Sequence, residues 1–204
     1  MPRKYIIILG AIKTYMKIIT GSAKGMNLET LEGESTRPTS QRIKEAVFSM
    51  IQFEIENSTV LDVFAGSGQM GIEALSRGAK RATFCDVSRD AVDIVITNAK
   101  KARLFDKCRV SCCDYKQLIR GLANKEVYDL VFVDPPYKDK IIPDVLKRLL
   151  EANVVNDASK IVCESGDADI FYGDKELEAK FDIVKQSRYS ISYVTVLVPK
   201  SSEE

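Results

Sequence analysis

The sequence predicts an α/β domain built around a mostly parallel sheet. Three observations carry that reading. From about residue 58, short β-branched runs alternate with longer amphipathic stretches, the spacing of strands joined by crossover helices. The run ending Leu61-Asp62-Val63-Phe64 passes directly into Ala65-Gly66-Ser67-Gly68, a strand feeding a glycine-rich turn. The last third changes to two extended runs only four residues apart, which pair as an antiparallel hairpin.

Taken in order, residues 17–31 hold two short extended pieces around Gly21-Ser22-Ala23-Lys24-Gly25 and predict a small hairpin. Thr39 or Ser40 then caps a helix reaching about Gln52, because Ile43, Val47, Met50 and Ile51 recur at helical spacing. Parallel strands follow at 60–64, 82–86, 109–113, 128–133 and 160–164. Helices at 69–76, 89–103, 115–122 and 143–151 separate them, with Gly78 and Gly121 as stop signals. A short helix over 174–180 precedes a hairpin of 181–185 and 190–198, turning at 186–189. The sheet therefore has seven strands, with helices on both faces.

Composition narrows the chemistry. A chain of 204 residues, 45% apolar and 29% charged, forms one ordinary core. Thirty basic residues against twenty-nine acidic leave a net charge of +1, so any nucleic-acid surface must be local. Such a surface is visible in residues 1–45, where eight basic side chains face four acidic ones. The absence of histidine removes Ser-His-Asp triads, Cys-His dyads and His-ligated zinc together. Cys85, Cys108, Cys112, Cys113 and Cys163 form no C-x-x-C pair and read as reduced thiols of a cytoplasmic protein, with no metal site. No apolar run approaches the ~18 residues of a membrane span. Arg3 and Lys4 before Ile6 to Leu9 echo a signal peptide, but no A-x-A-like site follows, and Met16 offers a second plausible start.

Two motifs carry chemistry. Gly66, Gly68 and Gly71 spell G-x-G-x-x-G at the first strand-to-helix turn, where close backbone approach and free helical N–H groups suit a nucleotide-bearing cofactor. Asp86 stands at the spacing of a ribose-binding acid, so a dinucleotide reading competes at this point. The second motif, Asp134-Pro135-Pro136-Tyr137, ends the fourth strand, and open α/β sheets bind ligands at carboxyl strand ends. Its prolines donate no hydrogen bond, leaving the Asp134 carboxylate and the Pro135 carbonyl as acceptors beside a flat Tyr137. An amine on a planar ring is the fitting guest.

Asp62-x-Phe64-x-Gly66-x-Gly68 resembles the cofactor motif of class I S-adenosylmethionine-dependent methyltransferases, whose sheet is Rossmann-like. Asp134 to Tyr137 is similar to the D/N-P-P-Y motif of those that methylate exocyclic or amide nitrogens. Arg37-Pro38-Thr39, with Arg42, Lys44, Glu45 and Phe48, resembles the R-P-T-x-x-R-x-[KR]-E-x-x-F segment of the bacterial 16S rRNA guanine-N2 methyltransferase family RsmD. The likeness covers about residues 16–200. It implies a methyltransferase domain over 39–200 and, over 1–38, an extension with an RNA-binding hairpin.

The resemblance further implies that Asp62, Phe64, Gly66 and Gly68 surround the methionine part of S-adenosylmethionine. Asp86 then meets the ribose, Asp114 the adenine amine, and the Tyr115 backbone lies nearby. Asp134, Pro135, Pro136 and Tyr137 form the catalytic loop. The partner implied is rRNA or an assembling small ribosomal subunit. The local basic excess makes Lys17, Lys24, Arg37 and Arg42 the RNA-facing candidates, Arg37 serving either RNA or the bracing of the cofactor loop, and one core with its hairpin is complete as a monomer. The chain departs from the family where Tyr189-Ser190 replaces a Tyr-Gly pair and in residues 1–15. A DNA adenine-N6 methyltransferase is the rival enzyme, and a non-catalytic RNA-binding assembly factor the rival from another class.

Overall fold

The computed structural model describes residues 16–30 and 38–201. Strands β1 (Met16–Lys17) and β2 (Asn27–Leu28) form a short antiparallel pair. Then follow α1 (Pro38–Met50), β3 (Thr59–Asp62), α2 (Gln69–Ser76), β4 (Arg81–Asp86), α3 (Arg89–Lys101), β5 (Cys108–Cys112) and α4 (Tyr115–Leu122). The chain continues through β6 (Leu130–Val133), α5 (Ile142–Glu151), β7 (Lys160–Ser165), α6 (Lys175–Glu178), β8 (Phe181–Tyr189) and β9 (Ser192–Pro199).

Seven strands lie in the order β5-β4-β3-β6-β7-β9-β8. The first five are parallel, and β9 and β8 close the sheet antiparallel. Because β3 pairs with both β4 and β6, the winding direction reverses between β3 and β6, and the crevice opens at the carboxyl ends of those two strands.

Alternation along the strands divides the core into two layers. Val60, Phe84, Phe132 and Val162 pack under α1, α2 and α3, against Phe48, Leu75 and Val95. Leu61, Val63, Val131 and Cys163 pack under α4 and α5, against Ile119, Val145 and Leu149. Met16, Ile18, Ala23 and Leu28 of the small hairpin bury in the first layer, so it is seated on the helices. Local chemistry reinforces the helices. Ser88 caps α3 through Ala91 N at 3.3 Å, Asp90 sits in the first turn, and Lys100 and Lys101 sit in the last.

Three expectations shift. Helix α1 starts at Pro38, placing Thr39 and Ser40 inside its first turn instead of at the cap, a turn that proline's fixed φ suits. Gly78 ends α2, but Gly121 lies within α4, and the left-handed residue beyond that helix is Asn124 with φ 56°, a conformation asparagine tolerates. The terminal hairpin turns at Ser190-Ile191, not at 186–189, since Tyr189 pairs with Ser192. Strand β8 is the sheet edge, so its exposed Lys185, Gln186 and Arg188 look like a turn by composition while pairing along the ladder. Among the described residues no helix is long and apolar enough to cross a membrane.

Candidate active site

The turn after β3 is fixed by carboxylates. Gly66 and Gly68 take φ of 50° and 77°, and the Gly68 N–H donates to the Ala65 carbonyl at 2.6 Å. Asp62, 3% exposed, accepts from the Gly71 N–H at 3.1 Å and so ties the strand end to the first turn of α2. Gly71 is required by contact: a Cβ there would stand 2.2 Å from the Phe84 ring, so α2 reaches its packing distance on β4 only with glycine. Asp86, at the end of β4, accepts from Gly66 N and Ser88 N, both at 2.9 Å. Its two oxygens keep further lone pairs for a ligand.

At the end of β5, Asp114 caps α4 by accepting from Lys116 N at 2.7 Å. Tyr115 donates its hydroxyl to Asp144 at 2.7 Å, and its ring stands 5.4 Å from that of Phe64. Burial and the Asp144 carboxylate hold the Tyr115 phenol above its ordinary pKa, so it remains a donor.

Across the crevice, β6 delivers Asp134, Pro135 and Pro136, and Tyr137 opens a one-turn 3-10 helix over Tyr137–Asp139. The Tyr137 hydroxyl donates to Glu164 Oε1 at 2.5 Å and lies 2.7 Å from Ser192 Oγ. With its one proton directed at the carboxylate, its oxygen accepts from Ser192. Burial, then the Glu164 charge, push the Tyr137 phenol well above its usual range, so it stays protonated. Gly166 packs against the Tyr137 ring, where a Cβ would come within 3.2 Å of Cδ2.

These elements enclose a cavity of about 900 Å³ at the carboxyl ends of the strands. Phe64, Gly66, Asp86, Asp114 and Tyr115 line one side, and Asp134, Pro135, Pro136 and Tyr137 the other. Asp62 and Gly68 stand behind the wall and shape the turn. Lys17, Lys24 and Arg42 are exposed and lie outside the wall, and Arg37 falls outside the described residues.

Among the wall residues that escape the sequence reading as site groups are Lys44, Gln69, Glu164 and Ser192. Gln69 directly follows Gly68, a position that could have flagged it, and its buried Oε1 has no protein partner. Lys44, 1% exposed, donates to the Lys17 carbonyl at 2.6 Å and stands 3.5 Å from Glu73. Burial lowers its pKa, and Glu73 opposes that shift. Glu73, fully buried, also accepts from Ile19 N, Thr20 N and Arg77 Nε at 2.7, 3.0 and 2.8 Å. The small hairpin is thereby clamped to α2, the helix that begins at the glycine turn.

With this geometry in place, the relatives are informative. A family model described as Conserved hypothetical protein 95 matches residues 16–198. Ribosomal RNA small subunit methyltransferase D of Haemophilus influenzae is 31% identical over 154 residues, covering 75% of this chain and 80% of its own. The chain belongs to the RsmD family. YlbH of Bacillus subtilis is 37% identical over 150 residues, covering 73% of this chain and 82% of its own. The solved structure of yhhF from Escherichia coli matches with a TM-score of 0.79 at 24% identity, covering 92% of this chain and 99% of that one. The RsmD match runs from β1 to β9, so it takes in both sides of the cavity and the clamped hairpin.

Proposed function

We propose that the protein transfers a methyl group from S-adenosylmethionine to the exocyclic N2 amine of a guanine in 16S rRNA. The observation that carries this reading is the single cavity joining the glycine turn to the Asp134–Tyr137 loop. Its residues fit the cofactor. Gln69 Oε1 is a buried acceptor awaiting a donor, and Asp86 and Asp114 add carboxylates at successive strand ends, matching a ligand with an amine, hydroxyls and a positive charge. Phe64, Gly66 and Gln69 would hold the methionine end, Asp86 the ribose, and Asp114 with the Tyr115 backbone the adenine, while Asp62 and Gly68 keep the turn in shape. When bound, S-adenosylmethionine supplies an already activated methyl on a sulfonium.

The chain's own residues act on the acceptor. A guanine amine is a poor nucleophile because its lone pair is delocalised into the ring. Asp134 and the Pro135 carbonyl accept its two N–H bonds and favour the pyramidal form. Pro136 makes the loop rigid, and Tyr137 supplies a flat wall that fixes the base plane, a proximity and orientation effect. Asp134 then takes up the amine proton that leaves after transfer.

A base enters such a pocket only when unpaired or flipped out, which suits a loop nucleotide of rRNA or of the assembling small subunit. The extension through residue 38 and the start of α1 supply phosphate contacts through Lys17, Lys24, Arg37 and Arg42. The protein works as a monomer in the cytoplasm. The test is incubation with methyl-labelled S-adenosylmethionine and, separately, rRNA, small-subunit particles and duplex DNA, followed by nucleoside analysis. N2-methylguanosine from RNA is expected. N6-methyladenine from DNA, or binding of the cofactor without transfer to any substrate, overturns the reading.

A further inference from the structure

Glu164 is a cavity-wall carboxylate to which the proposed chemistry gives no task. Strands β6 and β7 pair in parallel with Val133 opposite Cys163, so Asp134, just past the end of β6, and Glu164 on β7 are the next residues of the two neighbouring chain segments. Both line the cavity, and Tyr137 follows Asp134 by three residues while bonding Glu164 directly. The pocket therefore offers the base two carboxylates side by side. The Tyr137 bond orients Glu164, whose two oxygens carry about four lone-pair sites between them. Ser192, buried on β9, backs the same hydroxyl.

Two adjacent acceptors match one nucleobase edge. Guanine presents N1–H beside its N2 amine, two neighbouring donors. Adenine presents an N1 lone pair beside its N6 amine, and a carboxylate facing that lone pair is repelled. We propose that Glu164 is the specificity-determining residue for guanine, accepting the N1–H while Asp134 engages the amine, with Tyr137 as its positioning residue. This deepens the guanine reading above and rests on it.

The test uses RNA carrying guanosine or 2-aminopurine riboside at the methylated position, once mapping of the labelled product has located it. 2-Aminopurine keeps the exocyclic amine at C2 but replaces N1–H with a lone pair. The wild-type protein is expected to prefer guanosine by about 10- to 100-fold in kcat/KM, the size of one hydrogen bond to a charged group. Glu164→Gln keeps an acceptor for Tyr137 and gains an amide donor for the 2-aminopurine N1. It should bring the two substrates within about threefold of each other, while S-adenosylhomocysteine binding is retained. Tyr137→Phe leaves Glu164 in place without its anchor and should lower the preference by a smaller factor. Equal use of both RNAs by the wild-type protein, or an unchanged preference in a Glu164→Gln protein that has lost rate on both, overturns the assignment. Absence of N2-methylguanosine from the guanosine RNA with wild-type protein would instead fell the guanine reading itself.

Discussion

The two sides of the cavity are built differently. On the cofactor side, the carboxylates bond to backbone N–H groups, Asp86 to Ser88 and Asp114 to Lys116 two residues on, Asp62 to Gly71 nine residues on, and Asp86 also to Gly66 across the turn from the neighbouring strand. On the target side, Tyr137 is held by side chains 27 and 55 residues away, on β7 and β9. Caps and strand-end turns make the first side rigid mostly from local chemistry and backbone donors, with the Asp86–Gly66 bond as a tie between strands. The second side forms only when three strands have assembled in register. A cofactor of fixed shape suits the first construction, and recognition of one base among four suits the second, since it is tuned by single side chains without disturbing the turn.

The most damaging change to this division is Asp134→Ala. It removes the charged acceptor proposed for the amine, and methyl transfer under single-turnover conditions is expected to fall about 1,000-fold, comparable to loss of a main transition-state contact. Asp86→Ala acts on the other side. It removes the acceptor proposed for the ribose and leaves Gly66 N and Ser88 N without their partner, so cofactor KM should rise about 10- to 100-fold with a smaller change in kcat. Tyr137→Phe should cost about tenfold in kcat/KM for RNA, since one anchoring hydrogen bond is lost, and leave cofactor KM unchanged.

The smallest effect lies in the terminal turn. Ser190 takes φ 57°, a conformation that costs a non-glycine residue about 1–2 kcal/mol. Ser190→Gly should therefore raise the melting temperature by about 2–8 °C, read by calorimetry. Equal cofactor effects in Asp86→Ala and Tyr137→Phe would erase the contrast between the two sides.

The same contrast explains what the sequence disclosed. The succession of strands and helices, the glycine turn and the acids at successive strand ends were legible because each rests on local spacing, as with helices Gln69–Ser76 and Tyr115–Leu122, whose bounds match expectation. Glu164 and Ser192 were not, because a glutamate near the end of a strand and a serine after a turn carry no local sign that a tyrosine from the loop after β6 lies between them. The edge strand misled for a related reason. Lys185 to Arg188 are polar because one side of β8 lacks a partner strand, which sequence cannot distinguish from a loop. Lys44 was legible as part of a motif but not as a buried charge, since its partner Glu73 and the hairpin carbonyl it bonds converge only in the fold.

The division of labour is tested most directly by titrating S-adenosylhomocysteine into the wild-type, Asp86→Ala and Asp134→Ala proteins by calorimetry. The expected result is affinity lowered at least tenfold in Asp86→Ala, as loss of charged hydrogen bonds requires, and held within about twofold of wild type in Asp134→Ala. Equal weakening in both variants, or undiminished binding by Asp86→Ala, would contradict it.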